Sequence, residues 1–182
     1  TEAAERESLA NNRANIAEEK LVHVTAQKEQ IETTLDMLLA GGETILCEFK
    51  ETLSLNVKEV KHNKSYNPKK ELDIETAALK TLAGFLNAEG GTLLIGVSDT
   101  RAALGIDNEL EKLHYHLDKY KSLDKFKLHL QDLIKARLDK SVLANYMTIT
   151  TPKHTNGLTL VRIEVKKSLE GSVFLSPGQN FY

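Results

Sequence analysis

The sequence predicts an α/β domain of mixed α+β type, with a central sheet and flanking helices, preceded by a long N-terminal helix. Three observations predict it. Residues 2 to 39 carry an apolar seam unbroken by glycine or proline, and residues 44 to 50 alternate as a strand does. A helical stripe over 74 to 88 then passes through Gly90-Gly91 into the continuous apolar run 92 to 97.

Composition bounds the answer. With 182 residues, 41% hydrophobic and 27% charged, the chain can bury one core of useful size. No window approaches the roughly 18 apolar residues that span a bilayer, and no charged start precedes an apolar block. A cytoplasmic protein without membrane contact is therefore expected. The single cysteine, Cys47, excludes an internal disulfide and agrees with a reducing compartment. The chain starts at Thr1 and stops at Tyr182 within strand-like sequence, which reads as a piece of a longer protein. Its net charge of -2 hides an asymmetry: residues 1 to 40 hold eight acidic and four basic side chains, so the basic excess lies in 41 to 182.

The elements follow in order. Ala10, Ala14, Ala17, Leu21, Val24, Lys28, Ile31, Leu35 and Leu38 recur at spacings of four and three, the seam of a heptad repeat. Residues 1 to 40 thus read as a helix that either joins copies of the chain through residues 10 to 38 or packs on its own domain. Gly41-Gly42 stops it, and residues 41 to 182 form the second unit. In the strand from Thr44 to Lys50, Ile45, Cys47 and Phe49 share one face and Leu46, Glu48 and Lys50 the other. Cys47 reads as a small buried hydrophobe.

The stretch up to Glu71 is polar and rich in lysine: Lys58, Lys61, Lys64, Lys69 and Lys70, with Tyr66 among them. Clustered lysines with an aromatic suit a phosphate backbone and a stacked base, and the same composition suits a solvated loop. Asp73 is expected to cap a helix over 74 to 88, with Ile74, Ala78, Leu82, Phe85 and Leu86 buried. After the strand 92 to 97, Asp99 marks the exit from the core. Leu110, Leu113 and Leu117 hint at a short helix. Ser122 is expected to cap another, with Leu123, Phe126, Leu130, Leu133, Ile134 and Leu138 as its stripe. Strands near 144 to 151 and 158 to 167 meet at Asn156-Gly157, a hairpin signal. Lys166 and Lys167 end the second and add two cations for a nucleic acid. Val173-Phe174-Leu175, Ser176-Pro177-Gly178 and Phe181-Tyr182 read as a last hairpin.

The chemistry rests on three carboxylates. His114 and His116 are two apart and share no helix face, and paired cysteines, a Walker glycine loop and a serine-nucleophile signature are all missing. Glu43, Glu48 and Asp99 stand beside strand ends. Glu43 lies an odd number of residues from Glu48, so the Gly41-Gly42 turn must redirect it if the two are to converge. Clustered carboxylates repel unless protons or a cation intervene, and Mg²⁺ or Mn²⁺ takes such oxygens. A cation so held polarises a phosphate and acidifies a water. Three carboxylates near strand ends are also compatible with simple solvent exposure.

Glu43-x4-Glu48-Phe49-Lys50, then Ala83-Gly84-Phe85-Leu86-Asn87-x-Glu89-Gly90-Gly91-Thr92-Leu93-Leu94-Ile95-Gly96-Val97-x-Asp99 and Gly105-Ile106, resembles the Schlafen AlbA-like domain family, whose members are described as DNA-binding or nuclease domains. The resemblance covers residues 38 to 182. It implies a nucleic-acid-binding domain and, in nuclease members, a metal-dependent RNA-cleaving centre carried here by Glu43, Glu48 and Asp99, with Lys50 stabilising charge. Structured RNA such as tRNA is the implied substrate, with DNA as the other candidate. The alternative is a non-catalytic DNA- or RNA-binding regulatory module, oligomerised or tethered by the N-terminal helix. Two positions depart from the family pattern: Ser98 stands where a second acid is common, and Thr100-Arg101-Ala102-Ala103 replaces a glycine-containing turn.

Overall fold

A computed structural model describes residues 2–113 and 123–176, with side chains in the first helix described at 11–22, 25 and from 34 onward. Helix α1 (Glu2–Gly41) is continuous, and residues 1–37 form a compact unit separate from 38–182. Ala14, Ala17 and Leu21 of its seam are exposed, whereas Leu35 is buried. The seam side chains Ala10, Val24, Lys28 and Ile31 lie outside the described residues. The helix ends where the sequence indicates. Gly42 takes a left-handed φ of 74° and donates its N–H to the Leu38 carbonyl at 3.1 Å.

The second unit is built on one sheet. Strand β1 (Cys47–Lys50) leads to helix α2 (Val57–His62) and helix α3 (Leu72–Asn87), then to strand β2 (Gly91–Ile95). Helices α4 (Asp107–Lys112), α5 (Leu123–Leu138) and α6 (Lys140–Tyr146) precede strands β3 (Met147–Thr150) and β4 (Val161–Val165). The strand order is β1-β2-β4-β3, with β1 and β2 parallel and the other pairs antiparallel. A parallel pair needs a crossover, which α3 supplies.

Leu93, Ile95, Val161, Ile163 and Val165 meet Leu79, Leu82 and Leu86 of α3 and Phe126, Leu130 and Ile134 of α5 in the core. Each such side chain contributes about 2 kcal/mol of burial. Cys47, Phe49 and Leu94 are buried on the opposite sheet face. Gly90 shows why the turn before β2 takes glycine: its φ is 86°, and a Cβ there would sit 2.5 Å from the Val165 carbonyl oxygen.

Several boundaries differ from the expectations. The first strand begins at Cys47 because Thr44 and Cys47 exchange backbone hydrogen bonds, and this tight turn leaves Ile45 89% exposed. α3 starts at Leu72 with Glu71 as N-cap, and Asp73 lies in its first turn, where it favours the helix dipole. Glu71 is the boundary because its N–H bonds the Ser54 carbonyl (2.9 Å) and its carboxylate accepts from Tyr66 Oη (2.8 Å). The lysine-rich stretch contains α2, capped by Asn56 on the Glu59 N–H, and α6 was not anticipated. Val173 to Ser176 form no strand. Asn87 instead holds Val173 with two side-chain hydrogen bonds, at 2.8 and 2.7 Å. Leu117, Ser122, both paired histidines and residues from Pro177 onward lie outside the described residues.

Two buried carboxylates pin the chain after β1. Glu109, 1% exposed, accepts the N–H groups of Leu53 (2.9 Å) and Ser54 (2.7 Å). Glu75 accepts from Ser54 Oγ (2.7 Å) and lies 2.8 Å from His129 Nε2, while Lys70 Nζ stands 3.3 Å from His129 Nδ1. An imidazole protonated on Nε2 satisfies both contacts. Burial works to raise Glu75, but the bonds from His129 and Ser54 outweigh it and hold its pKa below the ordinary value. For Glu109 burial prevails over its backbone donors and pushes the pKa up to about 7.

A raised carboxyl pKa favours folding below the unfolded value and loses that contribution as pH rises through the folded one. Stability in urea unfolding is therefore expected to fall by up to roughly 3 kcal/mol between the ordinary carboxyl pKa and neutrality. Glu109→Gln is expected to be less stable at low pH and to lack that part of the slope. A wild-type chain with the same slope as the variant contradicts the assignment.

Candidate functional site

β1 is an edge strand, and the position of its polar residues follows from its register. Glu48 pairs with Leu93 and Lys50 with Ile95 in the parallel ladder, so the two polar side chains share the face whose β2 members enter the helix-covered core. Lying at the edge, they remain half-buried and form an ion pair with each other. Cys47 and Phe49 point to the other face.

Glu43 reaches the same strand from outside. Its Oε1 accepts the Phe49 N–H at 3.0 Å, and the Cys47 N–H bonds the Thr44 carbonyl at 3.2 Å. The turn after Gly42 thus redirects Glu43 onto the backbone between Glu48 and Lys50. Both carboxylates are sensed by Cys47, whose thiol is pushed up first by burial and then by Glu43 and Glu48, with Arg162 opposing them. Such a thiol stays protonated and unreactive at neutral pH.

Asp99 lies on the neighbouring connection. β2 runs parallel to β1, and the Gly96 and Val97 N–H groups both bond the Lys50 carbonyl (2.8 and 3.1 Å). Beyond them Ser98 to Arg101 form a turn closed by the Arg101 N–H on the Ser98 carbonyl (2.8 Å), with exposed Asp99 at its tip. Glu43 is bonded to the backbone of β1, the strand that carries Glu48. Asp99 stays on its own turn, and no group of three or more His, Cys, Asp or Glu side chains suited to a metal ion occurs among the described residues.

The donor chemistry nevertheless fits a hard cation. Mg²⁺ is commonly held by one or two carboxylates and completed by water and phosphate oxygens, and Glu43 and Glu48 are side chains of that chemical type.

The cationic residues divide into two groups. Lys58, Lys61, Lys64 and Lys69 are exposed on the segment that leaves the C-terminal end of β1, with Tyr66 half-buried among them. Lys61 contacts Glu51 at 3.2 Å. Burial lowers the pKa of Lys70, which Glu75 and Glu109 partly offset. Lys166 and Lys167 follow Val165, which pairs with Gly91 at the other end of β2. Lys167 contacts Glu89 at 2.7 Å. Antiparallel pairing of β2 with β4 therefore sets the two lysine groups at opposite ends of the sheet.

Sequence reasoning missed Arg101 and Arg162. Arg101 Nη1 donates to the Ala40 carbonyl at 2.9 Å, and Arg162 Nη2 pairs with Glu164 at 2.7 Å. Their signal was weak, because neither stands at a strand end or in a charge cluster.

The family model described as Schlafen, AlbA_2 matches residues 43–182. The chain belongs to the Schlafen AlbA_2 family. That membership puts residues 43–182 among domains of nucleic-acid-binding or nuclease type. No curated protein matches the sequence. Among the described residues, no helix of this Schlafen AlbA_2 chain is long and apolar enough to cross a membrane.

Glu43 has a structural task that can be separated from a ligand-binding one. Glu43→Ala is expected to speed amide exchange at Phe49 and to cost about 1 to 2 kcal/mol, because the edge N–H loses its acceptor. Glu43→Gln keeps an acceptor and is expected to restore most of both. Unchanged exchange at Phe49 in Glu43→Ala contradicts this role.

Proposed function

We propose that this chain is a cytoplasmic, Mg²⁺- or Mn²⁺-dependent endoribonuclease that acts on structured RNA such as tRNA. The observation that supports the reading is the Glu43 carboxylate bonded to the Phe49 N–H, on the strand that also carries the Glu48–Lys50 pair and leads directly into the basic segment from Lys58 to Lys70. The family membership supports the nucleic-acid partner.

In this reading Lys58, Lys61, Lys64 and Lys69 neutralise backbone phosphates, and Tyr66 offers a ring for base stacking. Glu71 holds the Tyr66 hydroxyl and so restricts that ring. Glu43, Glu48 and Asp99 act as the cation ligands. Lys50, beside Glu48, donates to the non-bridging oxygen that gains charge as the phosphate is attacked. The cation, when bound, would supply charge neutralisation at the phosphate and a more acidic water. Lys166 and Lys167 make a second, distant contact with a long substrate.

A second reading has its own observation. The separation of Asp99 from the Glu43 and Glu48 pair favours a non-catalytic DNA- or RNA-binding module. The exposed seam residues Ala14, Ala17 and Leu21 support self-association through residues 10 to 38 in either reading.

The test is incubation with tRNA, single-stranded DNA and duplex DNA in Mn²⁺, Mg²⁺ or EDTA. Metal-dependent cutting of tRNA is expected, with at least a hundredfold loss in Glu48→Ala and retained RNA binding. Replacing Lys58, Lys61, Lys64 and Lys69 together with alanine is expected to weaken binding and to flatten its salt dependence by about three to four units of slope. Tight binding without cutting in any metal overturns the nuclease reading in favour of the module.

A further inference from the structure

The basic segment borders an open cavity of about 500 Å³ whose walls include Glu59, Asn63, Tyr66, Lys69 and Glu71. That volume lies in the range of small-ligand sites and has room for a nucleobase. Two acids stand in this wall although Lys58, Lys61, Lys64 and Lys69 surround it in the chain. Phosphate contact gives them no part, because like charges repel. A carboxylate accepts hydrogen bonds, so these two point to a ligand group that donates.

Both acids are braced before any ligand arrives. The Glu71 N–H bonds the Ser54 carbonyl (2.9 Å), and Glu71 Oε1 accepts from Tyr66 Oη (2.8 Å). Burial, and then the bond to Glu71, raise the Tyr66 hydroxyl above its ordinary pKa, so it remains a donor. Glu59 Oε2 accepts from Asn63 Nδ2 (2.8 Å), and Asn63 Oδ1 accepts the Ser65 N–H (3.0 Å). Among the described residues, Glu71 Oε2 has no hydrogen-bond donor of its own. The cavity therefore combines a half-buried aromatic ring with a carboxylate held at its hydroxyl end.

Base chemistry decides what such a wall accepts. The N3–H of uracil lies between two carbonyls that a carboxylate repels, and adenine and cytosine each set one amino group beside an acceptor nitrogen. Guanine presents two adjacent donors, N1–H and the N2 amino group, on the edge that single-stranded RNA leaves open. A carboxylate has about four lone-pair sites, so Glu71 accepts both while it holds Tyr66.

We propose that this cavity takes an unpaired guanine of the RNA, stacked on the Tyr66 ring, with Glu71 accepting from its N1–H and N2 amino group and Lys69 beside its phosphate. This rests on the reading of the basic segment as a nucleic-acid contact and involves no cation. The open mouth suits a base delivered on a strand.

Fluorescence anisotropy of the full chain in EDTA reads binding without cleavage. The probes are labelled oligouridylates with one central guanosine, inosine, adenosine or cytidine, compared with the all-uridine strand. The guanosine strand is expected to bind about tenfold more tightly than the adenosine, cytidine and all-uridine strands, the scale of one good bidentate base contact. Inosine, which lacks the amino group, is expected to fall between. Glu71→Gln is expected to abolish the preference and to leave all-uridine binding unchanged. Tyr66→Phe keeps the ring, releases Glu71 and is expected to reduce the preference. Equal affinity for all strands overturns the proposal and leaves the nucleic-acid reading standing. A guanosine preference that survives Glu71→Gln, or that is unchanged in Tyr66→Phe should Glu71→Gln fail to fold, also overturns it. Free guanosine monophosphate that displaces the label as well as the unlabelled guanosine strand does assigns the cavity to a free nucleotide and overturns it too. Failure to bind any strand at low salt overturns the reading and the proposal together.

Discussion

An edge strand leaves one row of backbone donors without a neighbouring strand, and β1 is one of the two edges of this sheet. The Cys47 and Phe49 N–H groups face outward, and both are satisfied by the segment just upstream: the Thr44 carbonyl takes one and the Glu43 carboxylate the other. This arrangement has two effects. It closes the edge to pairing with other chains, and it fixes a carboxylate beside Glu48 and Lys50 before any ligand arrives. Gly42 is what allows it, because only a left-handed residue turns the end of α1 back along β1.

From that edge the rest of the site follows by topology. α3 carries the chain over the sheet to β2, which must run parallel to β1, so the exits of both strands fall at one end. The basic segment leaves one exit and the Asp99 turn leaves the other. Charge is managed differently on the two sides of this region. Glu48 is balanced by Lys50 in a half-buried ion pair. Glu75 is balanced internally by hydrogen bonds from Ser54 and His129, while burial outweighs the Leu53 and Ser54 donors at Glu109; both carboxyls hold the chain just after β1 in place. The first arrangement suits function and the second suits stability.

Much of the scaffold was legible in the sequence, and the reasons are local. Gly41-Gly42, Gly90-Gly91 and Asn156-Gly157 mark turns because glycine or asparagine is required where they stand, and α3 and α5 show their stripes because one face of each is buried. What could not be read depends on contacts between distant segments. Ile45 looked like core because alternation continued past the true start of the strand, and only the Thr44–Cys47 bonds reveal a turn. α2 had a readable sign, Asn56 three residues before Glu59, that its lysines obscured. Glu75 and Glu109 resemble surface acids in sequence, since their partners come from other elements. That Lys58 to Lys70 and Lys166 with Lys167 lie at opposite ends of the sheet depends on the antiparallel pairing of β2 with β4. For the candidate site, type and spacing indicated the carboxylates, while the Phe49 N–H that holds Glu43 was invisible without the fold.

In the proposed reading Glu43, Glu48 and Asp99 serve one cation, with Asp99 on a turn of its own. A diffraction experiment on crystals soaked in Mn²⁺, with data collected at the manganese absorption edge, tests it most directly. One anomalous peak bounded by all three carboxylates is expected, with the Asp99 turn drawn toward β1 and Glu43 still accepting from Phe49. Soaked crystals with no peak at β1, and with Glu48 still paired to Lys50, would contradict it.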